Sequence, residues 1–474
     1  MAARAVAAKR ADADAALALP EPGELLGLAE RVLGRATARG AEAADVFVQS
    51  GRSLVVSVER SALEGGEAGG GLGLGVRVQH AGKVGFGYAS DERGAVKAIE
   101  AALQASKHAR REALLLAEPE AAPTPPPHDP RIVALEVEEL ASRAHQVVEA
   151  ARAVHPEVEV TAGGVGASSE VWALATSRGV RHEEANAGVS AFASVVVKGA
   201  TLSTGSHQAL RRADDIDHDE VGRKAAELAL AGRKPRKADS GAYTLLLKPE
   251  ALQELLEFCC VTGLLGDNLR RKLSPFTGKL GKKVAAPGFS LSDDGLLPGG
   301  LGSGARDDEG LPSRRTPLIA RGVMVGALHD LRSAKQVGGK ATGCALRSER
   351  GDGERSHHAL PRATGRNLVV EGPSRPLEAL VAEVQRGFVV HDVIGAHTAN
   401  STTGEFHVNS ALLFRIEEGE VVGPAKSVML SGAMLDWLQK VSGLSTETTD
   451  LDGYLAPASL RLPWMRVDGA TVHA

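Results

Sequence analysis

The stretch Pro249-Glu250-Ala251-Leu252-Gln253-Glu254-Leu255-Leu256-Glu257-Phe258-Cys259-Cys260-Val261-Thr262-Gly263 decides how the rest of the chain is read. Leu252, Leu255, Leu256 and Cys259 recur at three- and four-residue spacing, which predicts a helix with one packed apolar face. Proline at the first helical position and glycine just past the end give the asymmetry expected of a helix. The chain continues as Leu264-Leu265-Gly266-Asp267-Asn268-Leu269-Arg270-Arg271. It then reaches a glycine-rich loop, Gly299-Gly300-Leu301-Gly302-Ser303-Gly304-Ala305-Arg306-Asp307-Asp308-Glu309-Gly310.

Around this stretch, 474 residues leave room for two or three domains, each with its own core. Apolar content of 43% and charged content of 24% are those of a soluble globular protein. Aromatic residues make up only 3%, so the cores must be built from alanine, valine and leucine. A formal net charge of -4 gives no reason to expect nucleic acid or an anionic membrane as partner. Cys259, Cys260 and Cys344 make no disulfide framework and suit a reducing cytosol, so a cytoplasmic location is expected. Lys9, Arg10, Asp12 and Asp14 interrupt the alanine-rich segment Met1–Leu19, which reads as a frayed or helical tail rather than a targeting signal. No apolar run approaches the roughly 18 residues that a membrane helix needs.

An amphipathic helix is predicted over 20–39, then strands at 44–50 and 53–59 joined by a tight turn at Gly51-Arg52. Gly70-Gly71-Leu72-Gly73-Leu74-Gly75 resembles a dinucleotide loop only superficially, because apolar alternation continues through it into a second strand, Lys83–Tyr88. Asp91 caps a helix, and Pro125-Pro126-Pro127 marks an extended connector. The division read from these signals is a tail over 1–19, an N-terminal α/β domain over 20–116 and a proline-rich linker over 117–131. A middle α/β segment over 132–237 and a β-rich domain over 238–474 complete it. In the middle segment, a helix over 135–154, strand-like runs at 158–164, 170–177, 186–198 and 201–206, and a helix over 214–231 are expected. Later strands are expected at 243–247, 317–320, 323–328, 367–371, 388–392, 405–416, 420–430 and 459–467. Many antiparallel strands without regular helical crossovers predict an α+β fold with a large, strongly curved sheet in the C-terminal domain.

Candidate chemistry is sparse. Asp307-Asp308-Glu309 lacks the spacing of a calcium loop, and neighbouring side chains diverge, so a structural or interface loop is the better reading. His182-Glu183-Glu184 starts like a zincin motif but lies between strands and has no second histidine. His357-His358 reads as an exposed pair in a mobile loop over 348–362. Gly338-Gly339-Lys340-Ala341-Thr342-Gly343 fails the phosphate-loop pattern, and the segment from Asp330 to Gly343 is read instead as shaping a cleft floor with backbone amides free to meet a peptide strand. His391, His397 and His407 have no paired nucleophile, and Cys259 and Cys260 diverge by about 100° on a helix.

Gly263-Leu264-Leu265-Gly266-Asp267 resembles the Gly-Leu-x-Gly-Asp stretch of the TldD/PmbA family of modulator-of-gyrase-type proteins. Arg315-Thr316-Pro317-Leu318-Ile319, the run Asp330 to Gly343, and Asn400-Ser401-Thr402-Thr403-Gly404-Glu405-Phe406 are similar to further segments of that family. In its proteolytic TldD branch the preceding helix reads His-Glu-x-x-x-His. By that register Glu257 stands where the first histidine would be, Phe258 where the catalytic glutamate would be, and Thr262 where the second histidine would be. The family pattern also implies a late cysteine ligand, and no cysteine lies between Gly443 and Ala474. A catalytic zinc needs imidazole or thiolate donors at about 2 Å and a carboxylate to take a proton from its water. Glu257 could ligate a metal, but Thr262 is a poor ligand and Phe258 cannot be a base.

The resemblance therefore implies a PmbA/TldE-like subunit with no catalytic residue and no cofactor of its own. It also implies a TldD-like partner carrying zinc, and short unfolded peptides as substrates of the pair. Asp307, Asp308, Glu309, Thr342, Gly343, Asn400 and Thr403 would then belong to a peptide cleft or a partner interface. Two other readings stand beside this one. The first is a homodimeric peptide-binding scaffold. The second is an independent hydrolase with a metal site built from Glu257, the Asp307–Glu309 loop and His391 or His397.

Overall fold

Runs of valine, alanine and glycine give this chain unusually long strands. A computed structural model describes residues 19–125, 127–198, 203–349, 355–455 and 458–474. Most of the expected tail, Pro126 of the connector, the first residues of the expected strand at 201–206 and part of the 348–362 loop lie outside the described residues. The fold is α+β, with β1 at Ala43–Glu59, β2 at Ala62–His80 and β3 at Lys83–Ala89. Further along come β4 at Val158–Thr176, β5 at Arg181–Val197 and β6 at Ser203–Arg211. These six form one antiparallel sheet in the order β3-β2-β1-β4-β5-β6, so segments on both sides of the proline-rich connector share a sheet through the β1–β4 pairing.

The turn expected at Gly51-Arg52 does not form. Gly51 pairs with Gly71 on one side and Glu170 on the other, and with partners on both edges the ladder runs straight through the glycine. The expected break between 164 and 170 is likewise bridged within β4, which keeps its pairing to β1 throughout. The turn after β2 does form, with Ala81 (φ 51°) and Gly82 (φ 67°) both left-handed, as a two-residue hairpin requires. At Gly85 and Gly87 a Cβ would lie 1.9 and 2.2 Å from the carbonyl oxygens of Ala102 and Ala98, so only glycine lets the helix rest on β3.

Even-numbered residues of β1 point to one face. Val46 and Val48 pack there under α1 (Glu24–Ala38) and α2 (Ala95–His108). Leu54, Val56 and Val58 pack under α3 (Val137–Val154) and α4 (His218–Ala231). The opposite face of the first half of β1 carries Asp45 and Phe47, both buried.

The larger C-terminal core contains a thirteen-stranded sheet. Its strands include β7 (Gly241–Leu247), β8 (Ser290–Asp294), β9 (Arg315–Ala320), β10 (Val323–Met324), β11 (Asn367–Glu371) and β12 (Arg386–Val390). Also present are β13 (Glu405–Ser410), β14 (Leu413–Glu417), β15 (Glu420–Ala425), β16 (Val428–Ala433), β17 (Val441–Asp452) and β18 (Ser459–His473). The main path runs β10-β9-β8-β11-β18-β7-β12-β14-β15, with β13 reached through β16, and β16 and β17 pairing with β18. The two-residue strand Ser374–Arg375, pairing with β17, completes the thirteen. Strand β18 is the hub: it pairs with β11, β17, β7 and β16, and register shifts between Val467 and Ala470 help it serve so many neighbours.

Two strands expected to be continuous are each divided. Glu405–Ile416 breaks after Ser410, where Asp392 accepts hydrogen bonds from Ala411 N (3.1 Å) and Leu412 N (2.9 Å) and turns the chain into a different pairing. Glu420–Leu430 divides after Ala425 for the same reason, β15 pairing with β14 and β16 with β13. Among the described residues, no helix is long and apolar enough to cross a membrane.

Candidate functional site

Helix α5 (Pro249–Cys259) buries Leu252, Leu255, Leu256 and Cys259, as the spacing requires. It ends earlier than Gly263: Cys260 leaves helical geometry (φ -128°, ψ -60°) and a 3-10 turn, Val261–Leu264, leads to α6 (Gly266–Arg270). A Cβ on Gly263 would lie only 3.0 Å from Ser274 Oγ and 3.1 Å from Pro275, so this turn is pressed onto the following loop.

Glu257 is fully buried. Its carboxyl accepts from the backbone amide of Tyr454 (2.9 Å) and from Gln253 Nε2 (3.2 Å), and the Leu455 amide also bonds to it. Gln253 lies one turn earlier and donates in addition to the Asp452 carbonyl. Among the described residues no cation touches Glu257, so burial pushes its pKa up to about 8 in spite of the amide bonds, and nearby Glu254 adds to the rise. At neutral pH it is a carboxylic acid rather than a carboxylate. Phe258 is partly buried, its ring edge-on to His397 at 6.3 Å between centroids. The Thr262 hydroxyl is buried with no hydrogen-bond partner among the described residues, while its carbonyl accepts from Asn268 Nδ2 (2.7 Å).

These residues do not fit a catalytic zinc. The helix offers no imidazole, the carboxyl at its expected ligand position, Glu257, is occupied by amides, and burial pushes the Cys259 thiol up to about 12 and Cys260 higher. His391 does not join Glu257. It is held between the rings of Phe414 (5.2 Å) and Trp464 (5.7 Å), where burial lowers its pKa to about 3. Among the described residues, no group of three or more histidine, cysteine, aspartate or glutamate side chains is placed to hold a metal.

Asp307, Asp308 and Glu309 are all buried, and their carboxylates diverge as neighbours in a loop must. Asp307 accepts from the amides of Leu311 (2.9 Å) and Ala345 (3.1 Å), while Glu309 accepts from the Leu331 amide (2.8 Å). Asp308 takes the Arg347 amide (2.7 Å) and Arg355 Nε (2.9 Å). Arg355 reaches on to Glu170 of β4 (2.5 Å) and lies over the Trp172 ring at 4.7 Å. Arg347 reaches Asp45 of β1 (3.2 Å), which Arg77 of β2 also grips (2.9 Å). The loop is thus one bank of an ionic seam joining the two sheets. Burial raises Asp307 to about 6 and Glu309 to about 8. At Asp45 burial also pulls upward, but Arg77 and Arg347 overcome it and hold the carboxyl below its ordinary value.

Several amides of the run from Asp330 to Gly343 are already taken within the fold. Leu331 N donates to Glu309, Ser333 N to Asp330 Oδ1 (2.6 Å) and Thr342 N to the His329 carbonyl (2.8 Å). Gly343 is left-handed (φ 70°), and a Cβ there would lie 2.5 Å from the Pro312 carbonyl oxygen. Asn400 and Thr403 are exposed. Asn400 Oδ1 accepts from Thr402 N (3.0 Å) and Thr403 N (3.3 Å), and the turn seats Gly404 against Pro275.

A cleft of about 1090 Å³ lies where the six-stranded sheet meets the C-terminal domain. Arg52, Leu54, Glu170, Ser190, His357 and Tyr454 are among its lining residues, and none of Asp307, Asp308, Glu309, Thr342, Gly343, Asn400 and Thr403 is. The segment that locks Glu257 from above is therefore also a wall of the cleft. His357, expected in an exposed pair, is half-buried against Gly73, where a Cβ would lie 2.1 Å from its ring; His358 alone is exposed. Sequence reasoning missed Gln253, Asp452 and Tyr454 around Glu257, and Asp45, Arg77, Arg347 and Arg355 in the seam. Only Gln253, four residues before Glu257 on the same helix, carried a local signal.

The chain matches the PmbA/TldA metallopeptidase domain 1 over residues 44–106, the central domain over 130–233 and the C-terminal domain over 240–474. An uncharacterized protein of Methanocaldococcus jannaschii is 26% identical over 418 residues, covering 88% of this chain and 94% of its own. A metalloprotease TldD homolog of Haemophilus influenzae is 29% identical over 259 residues, 53% of this chain and 52% of that protein. The crystal structure of TldE from Thermococcus kodakarensis has the same fold, with a TM-score of 0.88 at 22% identity over 94% of this chain and 100% of that one. Matched along most of its length by the three domains in order, the chain belongs to the PmbA/TldD family of metallopeptidase-like proteins.

Proposed function

We propose that this chain is a metal-free, non-catalytic subunit of a TldD/TldE-type protease, pairing with a zinc-bearing TldD-like chain that cleaves short unfolded peptides. The observation that supports this reading is the state of Glu257: a buried, neutral carboxyl fastened to backbone amides where a metal-binding helix would need a free donor. Phe258 in place of a general base and Thr262 in place of a ligand agree with it. In this role the chain shapes the peptide cavity and stabilises the active subunit in the cytoplasm. Asn400 and Thr403, exposed beside the end of α5, are assigned to the partner interface.

The test is zinc content and peptidase activity of the chain alone and then co-expressed with the TldD-like chain of the same genome. Zinc and activity are expected only in the co-purifying pair. Stoichiometric metal with activity in the lone chain would overturn the proposal, and a stable inert self-dimer that ignores the TldD-like chain would favour the scaffold reading.

A further inference from the structure

The strongest unassigned feature is a basic face beside the end of α5. Arg270, Arg271, Lys272, Lys279, Lys282 and Lys283 fall within fourteen consecutive residues, and all but Lys279 are exposed. The loop that carries them pairs with the β9–β10 hairpin: Gly281 N donates to the Met324 carbonyl (2.8 Å) and Met324 N to the Lys282 carbonyl (3.0 Å). That hairpin adds exposed Arg321, and α7 (Leu331–Val337) with its following turn, packed against α6, adds Lys335 and Lys340. Among the described residues, the one carboxylate bridged to these cations is Asp267, held by Arg270 and Arg271. A chain of net charge -4 therefore concentrates positive charge on one face, and the rest of its surface is correspondingly more acidic.

Apolar side chains stand among the cations. Leu273, Leu280, Val325 and Val337 are all exposed, Leu280 at 66%. Exposed leucine and valine inside a charged field is the composition of a protein interface, with apolar anchors and a polar rim. Arg270, Arg271 and Arg321 would suit phosphates as well as carboxylates. The one aromatic of these segments, Phe276, is fully buried, however, so the face offers no aromatic platform for bases and its exposed apolar anchors favour a protein. A second copy of this chain meeting the face about a two-fold axis would set cations against cations, which disfavours self-association there. The face also continues into the exposed Asn400–Thr403 turn through the packing of Gly404 on Pro275.

We infer that this face docks a different polypeptide chain, one presenting acidic side chains around apolar recesses. The inference rests on the heteromeric reading above and gives its interface a location and a chemistry. The charges speed and orient encounter, and Leu273 and Leu280 are the anchors.

The experiment is pull-down and titration of the TldD-like chain with the full-length wild type, with Lys279→Glu/Lys282→Glu/Lys283→Glu, and with Leu273→Ser/Leu280→Ser. Lys97→Glu/Lys107→Glu, on the exposed side of α2, serves as a charge-reversal control, and circular dichroism melting confirms that each variant folds. Binding at least about tenfold weaker in the triple and the double variant, unchanged in the control and weakened by salt in the wild type, is expected. Wild-type affinity in the triple variant would overturn this face while leaving the partnership intact. Failure of the wild type itself to bind would overturn both. Retention of a short DNA duplex by the wild type, lost in the triple variant while the TldD-like chain still binds, would assign the face to nucleic acid and also overturn the inference.

Discussion

Asp45 and Glu257 are buried to the same degree, and the chain treats them oppositely. Asp45 sits in the seam between the sheets with Arg77 and Arg347 against it, and its carboxyl stays below the ordinary range. Glu257 has only amides around it and is pushed up to about 8. Three amide hydrogen bonds do not replace a guanidinium when water is excluded, because they supply dipoles where the lost hydration of a full charge must be balanced. The seam is built to keep charge, and the α5 site is built to lose it.

Asp45→Ala is the harshest way to break this contrast. It leaves two buried guanidiniums without their shared carboxylate and should cost about 3–5 kcal/mol in urea unfolding. Arg347→Met should cost less, about 1–3 kcal/mol, and should show its effect in the pH profile. The stability that Asp45 contributes is present above the unfolded carboxyl pKa and is lost as pH falls through the folded value. With one cation gone the folded value rises, so acid unfolding should begin at higher pH than in the wild type.

Glu257→Gln tests the other side. Between the unfolded pKa near about 4.3 and the folded value of about 8, the folded state holds a proton that the unfolded state does not. Stability contributed by the neutral group is therefore fully present below pH ~4.3 and falls as pH rises through that window. The variant, which is neutral throughout, should overtake the wild type by on the order of 1–3 kcal/mol at pH 9 and match it near pH ~4. Urea titrations at both pH values measure this, and equal pH slopes would mean that Glu257 is ionised in the fold. The smallest expected effect is that of a chelator: if the chain is the metal-free subunit proposed above, EDTA should shift the melting temperature of the lone chain by less than about 1 °C, because no folding energy would then come from metal.

Much of this was legible in the residues. The apolar spacing of Leu252, Leu255, Leu256 and Cys259 predicted α5, and Gly263-Leu264-Leu265-Gly266-Asp267 set the register that marked 257, 258 and 262 as the positions to inspect. The strand Lys83–Tyr88 after the glycine-rich run was visible from continued apolar alternation. What holds Glu257 was not legible, because Tyr454 is 197 residues away and its contribution is a backbone amide that any residue could supply. Strand β17 was missed because Ser445-Thr446-Glu447-Thr448-Thr449-Asp450 is polar. Pairing along β18, with Leu444 and Ser445 also pairing with Ser374 and Arg375, makes it a strand. The seam was hidden for a related reason: Asp45 and Arg347 lie 302 positions apart, and arginine and aspartate read as surface until their partners are known.

The position of β18 has a consequence for how the protein is made. Strands β7, β11, β16 and β17 precede it in the chain and need its edges. While the ribosome is still adding residues up to 459, those strands are synthesised but unpaired on that side, and Leu245, Leu247, Leu444 and Val441 have no complete core to enter. The six-stranded N-terminal sheet needs nothing beyond Arg211 to close its ladders and nothing beyond Ala231 to cover its helical face, and can fold while translation continues. Nascent chains should therefore carry a protease-resistant amino-terminal half tethered to a sticky, half-assembled remainder, and the interval before β18 emerges is when a chaperone would be most needed.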